Sequence, residues 1–234
     1  MSNLRHKKWG ALIVIVLLLA LAATACSETP TAETEVVAET EEIMPTAAAV
    51  EEEQAPEAES EQPASEDAAA YIQSGDEAYA AANFPGAIDA YTQAISAAPT
   101  SVDAYFKRGL VYFESGEMET AIADFDQVLE IDPEHVKAFY RRGLAYNAIG
   151  KYEEARTDFD TAIVIDPNMP ELYFERGSLN LLFGDTELAI QDFEKYVELA
   201  PDAADREGVQ ELITDLETML EEEQQPQDGE SAEE

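Results

Sequence analysis

Residues 129–133 read LEIDP, residues 163–167 read IVIDP, residues 197–201 read VELAP, and a fainter copy, ISAAP, occupies 95–99. Their prolines, Pro99, Pro133, Pro167 and Pro201, stand 34 residues apart with no insertion. Three other registers keep the same step: Gly75, Gly109, Gly143 and Gly177; Ala87, Ala121, Ala155 and Ala189; and Tyr91, Phe125, Phe159 and Phe193. Four registers holding one period through four copies establish an internal repeat.

Working outward from LEIDP, each unit reads as two helices. In the second unit SVDAYFKRGLVYFES gives one run, Gly116 interrupts it, and METAIADFDQVLEID gives another. Tyr105, Gly109 and Tyr112 recur at helical spacing on one face of the first helix, and Ala121, Phe125 and Val128 on one face of the second. Small Gly109 and Ala121 let the two helices come close. Gly116, Gly150 and Gly184 suit the positive-φ residue that ends a helix, and the prolines stop the second helix of each unit. In the first unit Ala82-Asn83 replaces that glycine, and Pro85 suits the first turn of the next helix.

These residues resemble the tetratricopeptide repeat, which has a period of 34 and aromatic, Gly, Tyr, Ala, Phe and Pro at set places. Residues 102–135 carry Tyr105, Gly109, Tyr112, Ala121, Phe125 and Pro133, and residues 136–169 carry Phe139, Gly143, Tyr146, Ala155, Phe159 and Pro167. The outer units, 68–101 and 170–203, depart from the pattern: Ala78 and Asn180 take the internal Tyr place, and Tyr196 stands where a small residue is usual. The resemblance implies an all-α fold, a right-handed α-solenoid of four helix–turn–helix repeats. An apolar stripe of Val209, Leu212, Ile213, Leu216 and Met219 predicts a C-terminal capping helix over 204–221. An acidic tail, expected to be disordered, follows at 222–234.

The N-terminus is organised differently. Arg5, Lys7 and Lys8 precede the apolar run ALIVIVLLLALAATA and then Cys26, the single cysteine. A basic head, a short apolar core and a small-residue exit predict a secretory signal over 1–25, and the core is shorter than the roughly 20 residues a spanning helix needs. Ala23-Thr24-Ala25-Cys26 resembles a bacterial lipobox, with Ala23 departing from the usual Leu. That resemblance implies lipidation at Cys26 and membrane attachment through the lipid. The alternatives are an ordinary signal peptide, or an uncleaved anchor with an incidental cysteine. Each places the rest of the chain outside the cytoplasm, in a bacterial cell envelope. Residues 27–67 hold no Lys, Arg or aromatic residue, and Pro30, Pro45, Pro56 and Pro63 punctuate them. With the lipidated Cys26 at its head, this acidic stretch (26–67) reads as a disordered tether, spanning roughly 35 Å as a flexible coil.

Composition narrows the partners. The formal charge is −38, from 51 acidic and 13 basic side chains. Loss of residues 1–25 would remove three basic and no acidic residues and leave −41. Such a balance argues against nucleic acid, which needs clustered Lys and Arg, and against direct adhesion to anionic headgroups. No nucleophile–base pairing, phosphate loop or metal-ligand spacing stands out. No cofactor or metal is expected, and neither is catalysis.

Two sets of residues qualify as candidate functional positions. Arg108, Arg142 and Arg176 each precede a repeat glycine, and Asp124, Asp158 and Asp192 follow 16 residues later. Both members are missing from the first unit, where Ser74 and Ala90 stand. That joint absence favours structural ion pairs within each repeat over anion binding. The resemblance supplies the second set, because in the family the first helix of each unit lines a concave groove. The positions it implies are Phe106, Leu110, Phe113, Tyr140, Leu144, Asn147 and Phe174, with Lys107, Lys137 and Arg141 beside them. Lys137 and Arg141 match two places of the carboxylate clamp of chaperone-binding members, but the other three hold Ile72, Asp76 and Lys107. The expected function is a non-catalytic adaptor or scaffold that binds a segment of another protein in this groove. Self-association through the same groove is the alternative, and a solute-binding or enzymatic groove is a weaker one.

Overall fold

In the computed structural model, residues 63–224 are described. The expected signal, Cys26, most of the expected tether and the expected tail beyond Gln224 lie outside them. Within them the fold is all-α: α1 (Pro63–Ala80), α2 (Phe84–Ala97), α3 (Val102–Glu114), α4 (Met118–Ile131), α5 (Val136–Ala148), α6 (Tyr152–Ile165), α7 (Pro170–Phe183), α8 (Thr186–Leu199) and α9 (Arg206–Gln224). Helices α1/α2, α3/α4, α5/α6 and α7/α8 form four antiparallel pairs, and α9 packs on α8. The first helix begins at Pro63, five residues before the expected repeat boundary. Proline fits there because a first-turn residue donates no intrahelical hydrogen bond. At the other end α9 runs to Gln224, into the stretch expected to be tail.

The turns follow their residue types. Gly116, Gly150 and Gly184 have φ of 83°, 77° and 84°, and Ala82 adopts the same left-handed backbone at φ 55°. Asn83 then caps α2, its side chain accepting the Gly86 N–H at 3.2 Å. Ser101 and His135 cap α3 and α5, accepting the N–H of Ala104 at 3.3 Å and of Ala138 at 3.0 Å. In LEIDP the acid has its own role. Asp132 is the C-cap of α4, and its carboxylate accepts the Glu134 N–H at 3.2 Å across the proline turn. Asp166 repeats this with Asn168 at 3.0 Å.

The helix pairs are held by a glycine–ring lock. A Cβ at Gly75, Gly109, Gly143 or Gly177 would meet the ring of Tyr91, Phe125, Phe159 or Phe193 at 2.4, 2.8, 2.6 or 3.0 Å. Those rings are among the most buried side chains of the molecule, so none has room to move aside. Glycine at the middle of a helix costs about 0.5–1 kcal/mol relative to alanine. An extra methyl in a filled core costs about 1–3 kcal/mol, which is why all four units keep the glycine.

Units stack because the second helix of one packs against the first helix of the next: α2 on α3, α4 on α5 and α6 on α7. First helices also approach each other, α1 to α3 and α3 to α5, and no two second helices come as close. The stack therefore curves, with first helices on its inner side. At its C-terminal end Val209, Ile213 and Leu216 of α9 are buried and the outward residues are polar, as a cap requires. The two departures of the last unit serve this end. Asn180 donates to Asp192 at 2.9 Å, and Tyr196 donates to Asp205 at 2.6 Å, just ahead of α9.

Candidate functional site

Two faces carry the candidate residues. On one, arginines are enclosed by carboxylates. Arg108 donates to both oxygens of Asp124, at 2.8 Å from Nε and 2.7 Å from Nη2. Arg142 does the same to Asp158 at 2.9 and 2.6 Å, and Arg176 to Asp192 at 3.0 and 2.6 Å. The three aspartates are each 4% exposed. Arg108 and Arg142 each also lie over two aromatic rings of their own first helix, Arg142 over Phe139 and Tyr146 at 5.5 and 5.8 Å, and Arg176 lies over one, Tyr173, at 5.7 Å.

The remaining nitrogen of each guanidinium crosses to the preceding unit. Nη1 of Arg108 donates to Thr92 at 3.0 Å, that of Arg142 to Asp126 at 2.5 Å, and that of Arg176 to Asp160 at 2.7 Å. The arginines thus link neighbouring units as well as the two helices of one unit. Burial lifts the Asp158 carboxyl above the usual carboxylate range, and Arg142 pulls it partly back. With every nitrogen that faces the protein engaged, these arginines have little left to offer an external anion.

The inner face is formed by α1, α3, α5 and α7. Phe106, Tyr140 and Phe174 are only half-exposed here. Phe106 packs on Phe125 and His135, with ring centroids 5.8 and 5.0 Å apart. Tyr140 packs on Phe159 at 6.2 Å, and Phe174 on Phe193 and Tyr196 at 5.7 and 5.3 Å. These rings close the seams between helices and are only partly open to the groove. The free apolar surface comes from half-buried Leu110, Phe113 and Leu144, with Asn147 beside them, and from Leu182, which is 57% exposed. Leu182 was not among the residues singled out by sequence.

The three basic groove residues differ. Lys107 is not free: it bridges Asp76 of α1 at 2.8 Å and Asp103 of its own helix at 3.2 Å. Asp76 also accepts the Tyr91 hydroxyl at 2.8 Å. Arg141 lies over the Tyr140 ring at 5.7 Å and has no carboxylate within ion-pair distance among the described residues. Lys137 is exposed and likewise unpaired there. Tyr79 donates to Glu114 across the inner face. Near Tyr140 stands an acid that sequence reasoning passed over. Glu175 of α7 is half-buried with no hydrogen bond or ion pair among the described residues, and burial pushes its pKa up to about 7. Burial also raises the neighbouring Tyr140 hydroxyl to about 12, with the charge of Glu175 adding to it. Among the described residues no cluster of His, Cys, Asp or Glu could hold a metal ion, and no helix is long and apolar enough to cross a membrane.

No curated protein sequence matches the chain significantly. Among solved structures, the crystal structure of MamA protein is 24% identical with a TM-score of 0.57, covering 72% of this chain and 98% of MamA. MamA from residue 41 to its end, from Desulfovibrio magneticus RS-1, is 18% identical with a TM-score of 0.57, covering 70% and 98%. At these identities the likeness concerns the fold. The first TPR domain of Spaghetti (RPAP3), solved with the HSP90 peptide SRMEEVD, is 26% identical with a TM-score of 0.50, covering 51% of this chain and 95% of that domain. Models described as tetratricopeptide repeat match residues 72–136, 136–169 and 160–214, together more than half of the sequence. With the 34-residue period, the helix pairs and the glycine–ring locks already in place, the chain belongs to the tetratricopeptide repeat family.

Proposed function

We propose that this protein is a non-catalytic adaptor that holds a segment of another protein along the inner face of its repeats, and that a lipid on Cys26 anchors it in a bacterial envelope. One observation carries the adaptor reading. A protein of charge −38 keeps Leu110, Phe113, Leu144 and Leu182 facing the open side of a curved stack, and apolar side chains held in a concavity mark binding sites. The RPAP3 domain solved with a peptide supports this use of the fold. Its acidic peptide is not the expected ligand here, because Lys107 is already neutralised by Asp76 and Asp103.

Two experiments test the two halves. The variant Phe113→Glu/Leu182→Glu changes partly exposed side chains, so its helical circular dichroism should match the wild type. Recovery of the partner captured from envelope extracts should fall at least about tenfold, the equivalent of 1.4 kcal/mol; undiminished recovery would contradict the groove. For the anchor, cells labelled with a fatty acid should incorporate label into the wild-type chain and not into Cys26→Ala. The variant should also leave the membrane fraction, since acyl chains contribute about 0.8 kcal/mol per buried methylene. A Cys26→Ala chain that stays with the membrane would point to an uncleaved anchor instead.

A further inference from the structure

We infer that Glu175 is a recognition point for a basic side chain, so that the segment held in the groove carries a lysine or arginine in register with the fourth repeat. The inference rests on the groove reading above and adds the chemistry of the occupant. Its basis is a register rule on the inner face. Lys107, sixth residue of the second repeat, reaches Asp76, ninth residue of the first, at 2.8 Å. The sixth position of one first helix therefore faces the ninth position of the helix before it.

Applied to α7, that rule sets Glu175 against Leu144 of α5, with Tyr140 one turn away. By that register, the place that holds a carboxylate–ammonium pair between α1 and α3 pairs a glutamate position with a leucine position between α5 and α7. No cation pairs with Glu175 among the described residues. Arg176, next to it in sequence, is taken by Asp160 and Asp192. Arg141, which also acts on Tyr140, lies over the Tyr140 ring without reaching Glu175 within ion-pair distance. A half-buried carboxylate without a partner is unfavourable until a cation or a proton reaches it. An ammonium or guanidinium on the occupant supplies that cation.

The surrounding charges favour the same occupant and give it a direction. Glu171, one turn away on α7, is exposed and adds a second acid. Lys137 and Arg141 form a basic step on α5, so a basic residue of the bound segment belongs over α7 and any acidic one over α5. The titratable and charged groups facing this part of the groove include Lys137, Tyr140 and Arg141 on α5, Glu171 on α7, and Tyr196 on α8, whose hydroxyl is held by Asp205. The protein's net negative field also draws in a basic segment. Because the site needs ionised Glu175, affinity should rise with pH through about 7.

A phage-displayed library of random 12-residue peptides, selected in parallel on the immobilised full chain and on its Glu175→Gln and Phe113→Glu/Leu182→Glu variants, tests this. Glu175→Gln removes an unfavourable charge and should fold at least as well as the wild type. Peptides selected on the wild type should share a lysine or arginine at a fixed distance from their apolar residues. They should bind about 10- to 100-fold more weakly to Glu175→Gln, the range of a charge-assisted hydrogen bond. They should also bind more weakly at pH 5.5 than at pH 8, a difference that Glu175→Gln abolishes. Selected peptides that lack a basic residue, or that bind Glu175→Gln equally well, overturn the assignment. If those peptides still fail on Phe113→Glu/Leu182→Glu, the groove itself stands. A wild-type selection no richer than background overturns both.

Discussion

Phe159→Ala should lower the stability of the repeat domain by about 3–5 kcal/mol. Its ring is fully buried, fills the space left by Gly143, and belongs to a cluster that includes Leu172 of the next unit and the Tyr140 ring. Truncation would open a cavity at a point where the fourth repeat docks on the third. Surrounding helices cannot collapse into it without breaking the register of their neighbours, so the cost belongs at the upper part of the range for large-to-small changes. Urea denaturation followed by helical circular dichroism gives the value. Val164→Ala, at an 84% exposed position of the same helix pair, should stay within about 0.5 kcal/mol. A Phe159→Ala loss below 1 kcal/mol would mean that the glycine–ring lock is not what joins the two helices.

Arg142→Ala should cost a similar amount, about 3–5 kcal/mol, for a different reason. The substitution leaves the Asp158 carboxylate buried without a cation, uncovers the rings of Phe139 and Tyr146, and cuts the tie to Asp126 of the preceding unit. Most of the loss is the unpaired charge. A carboxyl whose folded-state pKa is raised favours the fold below its unfolded pKa and loses that contribution as pH rises through the folded value. Burial already raises Asp158 while Arg142 opposes the rise, so removing the arginine raises it further. The penalty should therefore be larger at pH 8 than at pH 5. Arg142→Met/Asp158→Leu, which removes both charges, should recover most of the stability. Asp126→Asn, at the more exposed partner, should cost no more than about 1 kcal/mol. Equal losses for Arg142→Ala and the double variant would place the effect in packing rather than charge.

How far these contacts could be foreseen differs from residue to residue. The period, the helix pairs and the end helix follow from apolar spacing and from glycine and proline, which act locally on the backbone. The close approach at the repeat glycine was legible because that glycine recurs. What it makes room for is the Phe125-type ring rather than Ala121, since a Cβ at Gly109 would meet Phe125 and Asp124. The Arg–Asp partners within a unit were legible because they are absent together from the first unit. Asp126 and Asp160 repeat as well, yet their link to the arginine of the following unit depends on how units stack, and that is not a local property. The helix start at Pro63 was hidden because its first turn has the same proline, alanine and acid composition as the preceding stretch. Asp132 and Asp166 looked like part of a punctuating motif, and their capping role appears only once the turn is closed.

The groove was harder to read than the repeat. Family geometry gave the inward positions but not the depth of the side chains, so Phe106, Tyr140 and Phe174 turn out to serve the seams more than the surface. Lys107 looked available because its partner Asp76 lies in another unit. Glu175 resembled any solvated acid on a helix; its partial burial, which raises its pKa, depends on how α7 packs on its neighbours. These properties arise between repeats, and one repeat's residues do not contain them.

The claim that the inner face is the binding face meets its most direct test in site-specific photocrosslinking in living cells. A benzoylphenylalanine would replace Phe113 or Asn147 on first helices, or Val164 on a second helix. The account predicts one common crosslinked partner from positions 113 and 147 and none from 164. Crosslinks arising only from 164, or different partners from 113 and 147, would contradict it.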